Sequence, residues 1–168
     1  MHKMIEELED CPIIAAGKDD EGLEACLESE SSMVFVLYGD ICTIGEVVKK
    51  IQSRGKRAVI HMDLIQGLSA KEAAVNFLKE YTRADGIITT RPALIRRAKE
   101  LGLFTVLRFF VIDSILPGLM PKMIRKIRKS IRRPLIAGGL ISDKEDIMAA
   151  LDAGAVAVST TKEPVWFM

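Results

Sequence analysis

The chain has 168 residues, 49% of them hydrophobic, and 24 Lys and Arg against 23 Asp and Glu give a formal net charge of +1. That length fits one domain spanning 1–168 with a sizeable core, and the apolar fraction excludes a disordered chain. The near-zero balance gives no bulk attraction for an acidic partner, so any nucleic-acid surface has to be a local patch.

Residues 1–12 are charged and lack the apolar core of a signal peptide. No apolar run approaches the roughly 20 residues that a membrane span requires. Cys11, Cys26 and Cys42 show no metal-ligand spacing. Together these features predict reduced thiols, a cytoplasmic location, no membrane contact, no metal and no cofactor.

Short runs rich in Val and Ile read as strands at 12–16, 33–37 and 57–62. Between the last two, Ile44, Val47, Val48 and Ile51 keep helical spacing ahead of Gly55. Ser69 and Glu72 form a capping-box pattern before a helix carrying Ala73, Ala74, Phe77 and Leu78. A strand is expected at 86–90, a helix from Pro92 to Leu101 ahead of Gly102, and a strand over 104–111. Met120, Ile124, Ile127 and Ile131 mark a further helix, followed by a strand at 134–137 ending in Gly138 and Gly139. Ser142 and Glu145 repeat the capping-box pattern before a helix with Ile147, Ala150 and Leu151, and a last strand covers 155–159. Near-continuous apolar strands alternating with helices describe a parallel sheet covered on both faces.

Seven such strands, plus 115–118 as the tail of an eighth, predict an α/β fold: a compact TIM-barrel-like parallel β/α barrel. One stretch breaks the pattern. The strand ending at Ser114 runs directly into Ile115, without the dozen or more residues that a parallel crossover needs. A segment is therefore expected to be missing between Ser114 and Ile115.

Ligands of such barrels sit at the C-terminal ends of the strands, where this apolar chain turns polar. Lys18, Asp40, His61, Asp63, Arg91, Arg108, Asp113 and Gly118 fall there in chain order. Gly138 and Gly139, then Ser159, Thr160 and Thr161, close the series with backbone and hydroxyl donors suited to a phosphate. His61 and Asp63 are two apart and would share a strand face, as an acid/base pair or as anchors for ligand hydroxyls. Arg108, inside an apolar strand, must pair with a carboxylate or meet an anion. The helix around Ile124 carries Lys122, Arg125, Lys126, Arg128 and Lys129, with Arg132 and Arg133 after it and no acid between, which fits either a solvated face or an RNA contact.

These blocks, above all His61-Met62-Asp63-Leu64-Ile65-Gln66-Gly67, Leu107-Arg108-Phe109-Phe110 and Ile136-Ala137-Gly138-Gly139, resemble the glycerol uptake operon antiterminator family. The resemblance covers nearly the whole chain in order and departs from the family at Ser114-Ile115. It implies a TIM-barrel-like fold, glycerol 3-phosphate as effector, and binding to leader mRNA to prevent termination, without catalysis. On that reading Gly138, Gly139 and Thr160 take the phosphate, Asp63 and His61 the glycerol hydroxyls, and Arg108 neutralises charge. The alternative is a barrel enzyme acting on a small phosphorylated triose or sugar, with His61, Asp63 and Lys18 performing acid/base chemistry.

Overall fold

A computed structural model describes the chain except residues 1, 109–118, 131–133, 135, 139, 140, 142 and 168. Seven parallel strands form one curled sheet: β1 (Ile13–Gly17), β2 (Met33–Val36), β3 (Arg57–His61), β4 (Gly86–Thr89), β5 (Phe104–Leu107), β6 (Ile136–Gly138) and β7 (Ala157–Thr160). Their order is β5-β4-β3-β2-β1-β7-β6, so β5 and β6 are its edges among the described residues. An eighth strand would stand between those edges. The Ser114–Ile115 junction falls in that interval and lies outside the described residues.

The strands read as continuous apolar runs because both faces are covered. Val34, Ile60 and Ile87 pack outward against the helices, while Phe35, Val59, Ile88 and Phe104 fill the interior. The outer layer includes α3 (Ile44–Ser53), α4 (Glu72–Phe77), α5 (Pro92–Glu100), α6 (Leu119–Ser130) and α7 (Lys144–Asp152). Gly55, Gly102 and Gly154 follow three of these helices with positive φ, the left-handed turn that a side chain resists.

Several local expectations change. Two helices were not anticipated: α1 (His2–Asp10) and α2 (Asp20–Glu28). α2 is capped by Asp19, whose carboxylate accepts from the Gly22 N–H, and it buries Leu23, Cys26 and Leu27. α1 lies across the N-terminal ends of the strands, where Met4, Ile5 and Leu8 join the interior cluster. Glu7 latches it to the first residue of β3 through a two-pronged bond to Arg57, 3.0 and 3.2 Å. That bond holds the Glu7 carboxyl below its usual range. Neither capping box forms as expected. α4 starts behind Lys71 with no side-chain cap bond. α7 is capped by Asp143, which accepts from the Asp146 N–H at 2.8 Å, one residue after the expected Ser142.

Candidate functional site

The mouth of the curled sheet is built by the residues that end β3, β4 and β5. Along β3 the inward column is Arg57, Val59 and His61, so the histidine tops a file that starts at the α1 latch. His61 is 3% exposed. Arg108 follows β5, anchored by its N–H to the Thr89 carbonyl at 2.9 Å, and its Nη1 lies 2.9 Å from His61 Nε2. A guanidinium only donates, so Nε2 accepts and the imidazole proton sits on Nδ1. Nδ1 is buried and has no hydrogen-bond partner among the described residues. A neutral histidine thus presents a buried N–H donor beside a permanent cation.

Burial, and then the charge of Arg108, hold the His61 pKa below its ordinary value. The unfolded chain therefore takes up a proton near pH 6.5 that the folded chain refuses. Stability attributable to His61 is complete above about pH 6.5 and falls as pH drops toward the depressed folded value, by at most about 1.4 kcal/mol per pH unit. The other histidine is His2, near the end of the chain. Urea unfolding at pH 7 and pH 5 should show this loss, and His61→Gln should flatten it. An unchanged slope in the variant would place the titrating group elsewhere.

Asp63 is not on the strand. β3 ends at His61, and residues Met62–Leu64 form a single 3-10 turn, so the expected shared strand face is not formed. The turn swings the Asp63 carboxylate onto the end of β4. There it accepts from Thr89 Oγ1 at 3.0 Å, the Thr90 N–H at 2.8 Å and Thr90 Oγ1 at 3.0 Å. Burial pushes the carboxyl up, but these three donors together outweigh it and its pKa lies below the ordinary value. The carboxylate stays ionised and retains capacity for about one more donor, out of roughly four lone-pair sites. Thr89 is fully buried, and its hydroxyl also accepts from the Arg91 N–H at the start of α5, 3.2 Å. Sequence reasoning missed Thr89 and Thr90 as site residues, because hydroxyls ending a β-branched run read as ordinary strand.

At the other edge of the sheet, Gly138 stands beside Ser159 in register. A methyl group on Gly138 would meet Ser159 Oγ at 2.6 Å, so glycine lets the serine hydroxyl occupy that position. Thr160 is buried and its hydroxyl is used internally. It donates to the Ile141 carbonyl at 3.0 Å and accepts from the Lys162 N–H at 3.0 Å. The Trp166 indole N–H donates to the Thr160 carbonyl at 2.8 Å, tying down the loop after β7. The side chains of Lys18 and Arg91 are exposed at the same end of the sheet, and Thr161 is half-buried. Asp40 caps a tight turn, its carboxylate accepting from the N–H groups of Cys42 and Thr43. Gly118, Gly139, Arg132 and Arg133 lie outside the described residues. The cations of α6 at Lys122, Arg125, Lys126, Arg128 and Lys129 are exposed on the outer surface, away from the interior. No helix among the described residues is long and apolar enough to cross a membrane.

The profile of a family described as glycerol-3-phosphate responsive antiterminator matches residues 13–115 and 114–166. The two matched stretches meet where the crossover is absent from the sequence. An uncharacterized protein of Escherichia coli K12, YgcP, is 45% identical over 174 residues, covering 92% of this chain and 91% of the relative. Since 92% of 168 residues is about 155, about 19 aligned positions of that relative have no counterpart here. Among solved structures, a glycerol uptake operon antiterminator regulatory protein from Listeria monocytogenes is 30% identical with a TM-score of 0.86, covering 94% of this chain and 95% of that one. An antiterminator-related protein from Thermotoga maritima is 34% identical with a TM-score of 0.74, covering 92% and 96%. An N-acetylmannosamine-6-phosphate 2-epimerase from Clostridium perfringens, 12% identical with a TM-score of 0.53, shares the fold alone. Profile, sequence and fold agree over nearly the whole length: this chain belongs to the glycerol-3-phosphate responsive antiterminator family.

Proposed function

We propose that this chain is a cytoplasmic regulator that binds glycerol 3-phosphate in the barrel mouth and binds leader mRNA of glycerol-uptake genes to prevent termination. The observation that carries the reading is the His61–Arg108 pair at the mouth of a chain from this family. Glycerol 3-phosphate is a small dianion with two hydroxyls. Arg108 supplies a cation at the mouth, and a phosphate within its reach would gain charge-assisted hydrogen bonds. Asp63, kept ionised, would accept from a glycerol hydroxyl, and the buried His61 Nδ1–H would donate to an oxygen. Gly138, with Ser159 and Thr161, would offer donors from the other side, and the sequence pattern adds Gly139 to them. Lys18 and Arg91 would border the entrance, and the sequence pattern adds Gly118 to the ligand set. The hydroxyl of Thr160 serves the loop, so its contribution is positional.

A ligand that prefers the folded state raises apparent stability, by about 2.7 kcal/mol at one hundred times its Kd. For a chain of this size that corresponds to a rise in melting temperature of about 5–10 °C. Glycerol 3-phosphate at 10 mM should produce such a rise, whereas glycerol and sulfate at equal ionic strength should not. Gly139→Asp, which places a carboxylate where the phosphate would sit, should abolish it. No shift with glycerol 3-phosphate would refute the effector assignment. Failure to retain a glycerol-operon leader transcript at moderate salt, with and without that compound, would refute the RNA assignment.

A further inference from the structure

The near-neutral total conceals a strong separation of charge. Residues 91–133 hold twelve of the 24 Lys and Arg but two of the 23 Asp and Glu, a net +10, so the rest of the chain carries −9. Two described helices bear most of this excess. On α5, Leu94, Ile95 and Ala98 are buried while Arg96 and Lys99 face solvent. On α6, Ile124 is buried while Lys122, Arg125 and Lys129 face solvent. Among the described residues, the topology puts the two helices beside the two edges of the sheet. α5 packs on β4 and β5, α6 packs on α7, and α7 packs on β7, while β5 and β6 are the sheet's edges. In an eight-stranded barrel a single strand separates such edges, so the two helices lie on one side of the molecule.

We propose that α5 and α6 together form one RNA-phosphate surface flanking the β5 and β6 edges of the sheet, with the RNA bound by both helices and not by α6 alone. This rests on the RNA-binding reading above and assigns it a place. A polyanion needs cations spread along a track, and two basic helices on one side of the molecule provide that where one helix does not. A lipid surface fits less well, because Leu94, Ile95 and Ala98 of α5 and Ile124 of α6 are packed inward and not available to insert. The position of α5 adds a route for control. Its first residue follows Arg91, whose N–H is bound by Thr89, which in turn donates to Asp63. An effector that engages Asp63 therefore acts on the anchor of a helix that holds RNA, and a differential contact there shifts the RNA-competent population.

The test is fluorescence anisotropy of a labelled 40-nucleotide RNA of randomised sequence, titrated with the full chain from 0.05 to 0.5 M salt. Randomised RNA reports the sequence-independent electrostatic term, to which each single-strand phosphate contact adds about 0.7 to the salt slope. Arg96→Gln with Lys99→Gln should lower the slope by about 1.4 and weaken binding about 25-fold at 0.1 M salt relative to 1 M. Lys122→Gln with Arg125→Gln and Lys129→Gln should act in the same direction. Lys49→Gln with Lys79→Gln, exposed cations elsewhere, should leave the slope unchanged. Circular dichroism melts of each variant check that it folds. A slope lowered by the α6 variant but untouched by the α5 variant overturns the two-helix surface and leaves the RNA reading standing. Absence of binding by the parent chain overturns both. If the α5 variant instead changes only the sedimentation of the protein, the face joins copies of this chain and the proposal fails.

Discussion

Gly86→Ala is expected to lower the melting temperature by about 6–12 °C, read by differential scanning calorimetry. A Cβ built on Gly86 would stand 2.5 Å from the Phe104 carbonyl oxygen and 2.8 Å from Phe104 Cβ. Both obstacles belong to the neighbouring strand, in register with Gly86, so neither can rotate away. Relief requires β4 and β5 to separate, and β5 is an edge strand held on that side by β4 alone among the described residues. Overpacking of a close-packed interior costs about 1–3 kcal/mol, and the upper end applies where backbone must move. At about 2–4 °C per kcal/mol for a chain of this size, 3 kcal/mol gives the stated range. A shift below 2 °C would mean that the strands part without loss, and that the β4–β5 edge is looser than its register implies.

Arg108→Met should weaken glycerol 3-phosphate binding about 100-fold in isothermal titration calorimetry, with the fold retained. Methionine keeps much of the stem and loses the cation. Hydrogen bonds to charged groups contribute up to about 3 kcal/mol, and about 2.7 kcal/mol is a hundredfold in Kd. The variant also relieves His61 of a neighbouring positive charge, the second cause of its depressed pKa, so the pH at which that imidazole titrates should rise. The two readouts are independent. A rise in the His61 titration with unchanged affinity would keep the pair and move the phosphate elsewhere. Arg108→Lys should fall between, because an ammonium keeps the charge without the planar fork that can face His61 and an anion together.

The strands were legible because burial on both faces leaves no polar alternation to confuse the reading. Val34 and Phe35, or Ile60 and Val59, are neighbours on opposite faces and are all apolar. The same uniformity hid what the ends of the strands do. The pairing of His61 with Arg108 joins β3 to β5 across β4, a relation set by register and not by spacing in the chain. Asp63 looked like the next inward residue of β3 because nothing in Met62-Asp63-Leu64 marks a strand end. Only the 3-10 turn reveals that its partners are Thr89 and Thr90. α1 and α2 were missed because charge dominates both. Their apolar stripes amount to Met4, Ile5 and Leu8 in one and Leu23, Cys26 and Leu27 in the other. The absent crossover was legible as a matter of arithmetic, since two parallel strands cannot follow one another without a return path.

The α1 helix gives the molecule a stopper as well as a mouth. With Leu8 buried against the interior and Glu7 clasped by Arg57, the end of the barrel where strands begin is corked. Among the described residues, the entrance left for small solutes is the end where the strands finish, beside Arg108 and Asp63. A purification tag or fluorophore joined ahead of α1 hangs from the corked end and leaves that entrance clear. One grafted into the loops at Lys18 or Gln66 would stand across the doorway.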